Sequence, residues 1–196
     1  MLIRTKEIEN KHTPRPNTGE IVSFQEEQQN NCFIGRPDEI LKKHIGALIP
    51  DKNTHFVTLG RWSMHDLIFY CLKQTGPAHL LIATWSISEI SIRNLVKKFN
   101  EKEILSVKFL LDPRVKVRNP KPLQMLQANF EYTFSPCHAK VTTIENQNWN
   151  LSIIASANLT NNPRIERGVI CPGKDVFDFD KKWITNAINR RSNTGN

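Results

Sequence analysis

Residues 138 to 160 read HAKVTTIENQNWNLSIIASANLT: two strand-like runs separated by the polar segment ENQNWN (145–150). Two such runs around a polar turn predict an antiparallel hairpin. Side chains two apart on a strand share a face. His138 and Lys140 therefore project together from the first strand, and Ser156 and Asn158 from the second. Where pairing makes these faces coincide, an imidazole, an ammonium, a hydroxyl and a carboxamide meet in one small volume. That set suits a phosphodiester, because imidazole can attack phosphorus while ammonium and amide donate to the non-bridging oxygens where charge accumulates. His-x-Lys or Ser-x-Asn alone is commonplace. The two gain weight by occurring in order on adjacent strands, and by the segment that follows, NNPRIERG (161–168), in which the carboxylate of Glu166 stands between Arg164 and Arg167.

Outward from the hairpin, strands alternate with helices. HFVTL (55–59) reads as a strand, and Ser63 with Asp66 opens a helix whose Leu67, Ile68, Cys71 and Leu72 lie on one face. AHLLIAT (78–84) has the continuous apolar character of a strand covered on both faces. Ser86 and Glu89 have capping-box spacing ahead of a helix with Ile92, Leu95, Val96 and Phe99 at i, i+3, i+4, i+7. LSVKFLL (105–111) is a further strand; DPRVKVRNPKP (112–122) reads as a basic loop and LQMLQAN (123–129) as a helix. RGVIC (167–171) is a strand, and a last helix carries Trp183, Ile184, Ala187 and Ile188 on one face. RPDEILKKHIGALIP (36–50) predicts one short helix with Asp38 as its cap. This alternation predicts an α/β fold, an α-β-α sandwich around a mixed, largely parallel sheet. Residues 1–54 are expected to form an N-terminal extension, extended or loosely attached over 11–31, with the domain over 55–190 and a disordered tail at 191–196.

The chain of 196 residues carries a formal net charge of +8. Residues 1–50 hold seven basic and seven acidic side chains, so the surplus belongs to 51–196. Such an excess favours a polyanion, nucleic acid before anionic headgroups. The run Arg114, Lys116, Arg118, together with Arg164 and Arg167, supplies candidate phosphate contacts. Cys32, Cys71, Cys137 and Cys171 are scattered without a CxxC pair, so neither a disulfide framework nor a zinc cluster is indicated. Cys137 adjoins His138, but neighbours on a strand face opposite ways, which argues against a dyad. The other histidines, His12, His44, His55, His65 and His79, show no metal-ligand spacing. No apolar run approaches the roughly 20 residues needed to span a bilayer, and the start lacks the features of a signal peptide. The expectation is a cytoplasmic protein without a membrane partner.

The series His138, Lys140, an acid at Glu145, ASAN (155–158) and Glu166 resembles the signature of the phospholipase D superfamily, H-x-K-x4-D-x6-G-S-x-N. It departs in having Glu145 for the Asp, Ala155 for the Gly, and a longer gap to Ser156. The strand and helix order over about residues 55–190 is similar to that family's α-β-α domain. The resemblance implies a metal-independent phosphodiesterase with no cofactor, working as a homodimer because two motif copies meet at one site and this chain has one. It further implies His138 as nucleophile in one subunit and general acid in the other, Lys140 and Asn158 around the phosphoryl oxygens, Ser156 as an added hydrogen bond, and Glu166 as the acceptor for the second ring N–H of His138. Single-motif members are prominently small nucleases, so DNA is the expected substrate. The alternatives are a DNA-binding dimer without turnover and, less favoured, a lipid phosphodiesterase, for which no amphipathic helix with a basic rim is found.

Overall fold

The computed structural model describes residues 21–24, 30–33, 37–161 and 163–192. Its contacts divide the chain into two units, Met1–Gly35 and Arg36–Asn196. In the first, β1 (Ile21–Phe24) pairs antiparallel with β2 (Asn30–Phe33). Residues 11–20 of the expected arm lie outside the described residues.

The second unit runs α1 (Pro37–His44), β3 (Thr54–Val57), α2 (Met64–Thr75), β4 (Ala78–Thr84), α3 (Glu89–Asn100), β5 (Ile104–Leu111), α4 (Val115–Arg118), α5 (Pro120–Asn129), β6 (Glu131–Phe134), β7 (Val141–Glu145), β8 (Asn150–Ala155), β9 (Arg167–Pro172) and α6 (Lys174–Ser192). Seven strands form one sheet in the order β3-β9-β8-β7-β4-β5-β6. β4, β5 and β6 are parallel neighbours, and the pairs β4–β7, β7–β8, β8–β9 and β3–β9 are antiparallel. The sheet is mixed as expected, but antiparallel pairs outnumber parallel ones instead of the reverse. The connection from β7 to β8 is too short for a parallel crossover, so it returns antiparallel.

Alternation along the central strands divides their side chains between two layers. Ala83, Leu110 and Val141 bury against Ile184 of α6, with Trp183, Ala187 and Ile188 packed around them. Phe109, the opposite parity to Leu110, meets Phe130 at 5.7 Å, and Phe130 meets Phe99 of α3 at 5.6 Å, so α3 and α5 cover the other face. Tyr70 of α2 donates to the Gly46 carbonyl at 2.8 Å and Lys73 pairs with Asp38, which ties α1 to α2.

Local chemistry sets the helix starts. Ser63 caps α2 reciprocally, its backbone N–H reaching Asp66 Oδ2 at 2.9 Å, as its spacing predicts. The cap of α3 is Ser88 rather than Ser86: Ser88 accepts from the Ser91 N–H, while the Ser86 hydroxyl donates to Asn119 at 3.0 Å. Asp38 sits within the first turn of α1 instead of capping it. The expected loop at 112–122 contains α4 and the start of α5, because Asp112 stops the chain at the end of β5 and accepts from the Arg114 N–H at 3.0 Å. β6 is a strand that the sequence reading did not anticipate. α6 continues to Ser192, inside the expected tail, and residues 193–196 lie outside the described residues. Among the described residues, no helix is long and apolar enough to cross a membrane.

Candidate active site

The strand directions bring seven chain segments to one edge of the sheet. β3, β4, β5, β6 and β8 end there, and β7 and β9 begin there. Carboxyl ends of strands in an α/β sheet are where ligands are commonly held. Across this edge lie Thr58, Glu166 and Arg167, then Ser156 and Asn158, then His138 and Lys140, then Thr84 and Trp85, then Asp112 and Arg114.

His138, Lys140, Ser156 and Asn158 stand just outside the strands, not within them. Strand parity therefore does not orient them; specific hydrogen bonds do. Ala155 N–H donates to the Lys140 carbonyl at 3.0 Å, which extends the β7–β8 ladder by one step and sets the two halves of the motif side by side. Asn158 is fixed by its carbonyl end: Oδ1 accepts from Trp85 N–H at 3.3 Å and lies 3.5 Å from Thr84 Oγ1, which accepts from Leu159 N–H at 3.3 Å and donates to the Ser86 carbonyl at 3.0 Å. This leaves the amide Nδ2 as the donor that Asn158 can offer. A parallel bridge between Ile87 and Leu159, with Ser88 N–H on the Leu159 carbonyl at 3.0 Å, holds the segment after β8 to the segment after β4.

Ser156 is clamped to β9, its N–H donating to the Arg167 carbonyl at 2.9 Å and its Oγ accepting from Arg167 N–H at 3.0 Å. The Ser156 hydroxyl donates to Glu166 Oε2. Glu166 thus accepts from Ser156, and the His138 ring rests edge-on to Trp85, ring centroids 5.4 Å apart. Lys140 Nζ donates to the His138 carbonyl at 2.6 Å. Burial pushes the Lys140 ammonium below its ordinary pKa, and the Glu166 carboxylate opposes that shift. Glu166 also lines a small recess with Thr58, Trp62, Ser63, Met64, Ala157 and Thr160.

The basic residues divide. Arg114 and Arg118 both lie over the Trp85 indole, at 5.0 Å and 4.4 Å, whereas Lys116 lies over Phe134 at 4.4 Å. Positions four apart on a helical turn share a side and the residue between does not. Arg164 and Arg167 are exposed beside Glu166, with an Arg167 guanidinium nitrogen 3.5 Å from His55 Nδ1. Asp112 accepts from Arg114 Nε at 2.7 Å, from Arg114 Nη2 at 3.1 Å and from Cys137 N–H at 3.2 Å. These bonds, led by the guanidinium, hold its carboxyl at about 2 against the opposing effect of burial.

The acid at the motif's Asp position is elsewhere. Glu145 closes the far end of β7, where Lys181 Nζ lies 2.7 Å from both its oxygens. Cys137 is raised in pKa by burial, so it stays protonated and is a poor nucleophile. His65 is buried, bonded to the Ser63 and Ser91 hydroxyls, and its pKa is lowered by burial. Among the described residues, no group of three or more His, Cys, Asp or Glu is arranged to hold a metal ion. Trp85 and Thr84 were not foreseen from the sequence. Their position at the carboxyl end of a central, mostly apolar strand is the signal that marks them.

No family model matches the sequence, and no curated protein is detectably similar to it. Solved structures are. NucT from Helicobacter pylori superposes with a TM-score of 0.54 at 15% identity, over 70% of this chain and 96% of that one. Nuc from Salmonella typhimurium, a phospholipase D family member, gives 0.51 at 15% identity, over 70% and 95%. Polyphosphate kinase from Porphyromonas gingivalis gives 0.53 at 9% identity, over 69% of this chain and 26% of that one. With the seven-stranded mixed sheet between its two helical layers, this chain has the fold of the phospholipase D superfamily.

Proposed function

We propose that the protein is a metal-independent phosphodiesterase that hydrolyses nucleic acid, with DNA as the substrate, through a phosphohistidine on His138 at a homodimer interface. The observation that carries this reading is the alignment of His138, Lys140, Ser156, Asn158 and Glu166 on neighbouring segments at one sheet edge, within a predominantly cationic surround. An imidazole nitrogen of His138 attacks phosphorus, the N–P bond forms and the bond to the leaving oxygen breaks. His138 of the partner subunit gives that oxygen its proton, then takes one from the water that cleaves the N–P bond. Lys140 and the Asn158 Nδ2 donate to the non-bridging oxygens, and Glu166, oriented by Ser156, keeps Lys140 charged against burial. Arg164, Arg167, Arg114, Arg118 and, at the periphery, Lys116 neutralise neighbouring phosphates.

The test is cleavage of single- and double-stranded DNA in excess chelator by the wild type and by His138→Ala, with the mass measured by light scattering. Cleavage by the wild type alone, from a dimer, is expected; cleavage that needs a divalent ion, or that a monomer sustains, would overturn the mechanism. A second reading, a DNA-binding dimer without turnover, is favoured by one feature: Ala155 stands where the motif has Gly, directly before Ser156. Binding by both proteins with cleavage by neither would establish it.

A further inference from the structure

Among the described residues Trp85 is the one aromatic ring against His138, and it carries two guanidinium groups. Arg114 is matched by the carboxylate of Asp112. Arg118 differs: it is exposed, and among the described residues no carboxylate pairs with it. Its guanidinium carbon lies 4.4 Å from the indole centroid, itself 5.4 Å from the imidazole centroid, so Arg118 stands no more than 9.8 Å from the nucleophile. The indole Nε1 is buried and finds no acceptor within the described residues. A buried donor without a partner is costly, by about 1–3 kcal/mol, and calls for an explanation.

We infer that Trp85 and Arg118 form a subsite for the nucleotide adjoining the scissile phosphate, which makes the substrate a chain of phosphodiesters rather than an isolated one. The inference rests on the reading of His138 as the nucleophile. Arg118, held on the indole by cation–π attraction, presents its outward N–H groups to the phosphate next along the strand. The indole fixes where that guanidinium stands relative to His138, so the phosphate it meets is a neighbour of the reacting one. Lys140 and Asn158 serve the reacting phosphate, so the two sets of donors divide between consecutive phosphates along the sheet edge. An isolated diester, such as a lipid headgroup or a small synthetic substrate, meets only the first set.

The experiment compares an oligonucleotide with bis(p-nitrophenyl) phosphate as substrates for the wild type, Arg118→Gln and Trp85→Leu. The expected result is a wild-type preference for the oligonucleotide in kcat/KM that falls about tenfold or more in each variant, through KM rather than kcat. Oligonucleotide binding, titrated against salt, should show a slope of log K on log salt smaller by about 0.7–0.9 in Arg118→Gln, the loss of one phosphate contact. A preference that stays the same, or losses equal on both substrates, overturns the subsite. Where the wild type cleaves neither substrate, the catalytic reading fails by itself, and the salt slope decides the subsite: an unchanged slope rejects it and a reduced one retains it as a binding determinant.

Discussion

Replacing Asp112 by Asn tests whether one buried carboxylate organises the basic side of the site. Its side chain is 2% exposed and accepts from the Arg114 backbone N–H, from Arg114 Nε and Nη2, and from Cys137 N–H, the residue before His138. A carboxyl held at about 2 in the fold, against an ordinary 3.8, corresponds to about 2.4 kcal/mol at neutral pH. Because the Arg114 side chain is 56% exposed, solvent screening brings the expected cost of Asp112→Asn to about 1–2 kcal/mol. The folded pKa is depressed, so this stabilisation is present above the unfolded value and is lost as pH falls toward the folded one. The deficit of the variant should be full at pH 7, roughly half gone near pH 3 and absent below about 2. Urea unfolding of both proteins at pH 7, 5 and 3 measures it. Equal stability at pH 7, or a deficit that does not shrink on acidification, would refute the argument that the ionised Asp112–Arg114 pair is what stabilises the turn into α4.

Glu145→Gln should lower stability by no more than about 1 kcal/mol, since Glu145 and Lys181 are each more than a third exposed, and should leave DNA cleavage intact; a tenfold loss of cleavage at unchanged stability would return Glu145 to the chemistry. Gly168→Ala should cost about 1–3 kcal/mol in denaturant unfolding, because the added methyl falls 2.7 Å from the Ile154 carbonyl oxygen and into the Phe56 ring. The alkaline limb of the cleavage rate should lie below the ordinary lysine value of 10.5, as Lys140 loses its proton early, and Glu166→Gln should move that limb lower still. A limb that ignores the Glu166 substitution would separate Glu166 from Lys140.

Much of this was legible because local and global signals agree at the same residues. AHLLIAT became β4 at both boundaries, and Ser63 with Asp66 capped α2, since each is a short-range pattern that tertiary contacts reinforce. The spacing of Ser86 and Glu89 misled for a physical reason. The Ile87–Leu159 bridge draws Ile87 against the segment after β8, so the helix starts two residues later at Ser88. RVKVR alternates as a loop or strand would, yet one turn of helix forms there because Asp112, distant in role but adjacent in sequence, supplies the first acceptor. The placement of the candidate motif residues was not legible. Parity within a strand was the argument for their convergence, whereas the structure brings them together beyond the strand ends, through contacts such as Asn158 to Trp85 that link residues more than 70 positions apart. Trp85 escaped notice for the same reason: nothing local distinguishes it from a core aromatic.

The turn between β7 and β8 lies at the opposite end of the hairpin from His138. Asn146 closes it, its side chain accepting from Asn148 and Trp149 and donating to the Thr75 and Pro77 carbonyls. Five paired positions, Val141 with Ile154 through Glu145 with Asn150, separate that turn from the motif, about 17 Å of strand. The number of residues between the Lys and the Ser therefore records how long the hairpin is, not how the phosphate is held. Under the proposed mechanism, length added in register at this turn is chemically silent, and so is the acid that stands beside it. Two proteins with one reaction centre can accordingly drift apart in the spacing by which linear signatures are written, while the atoms that define kinship stay where they were.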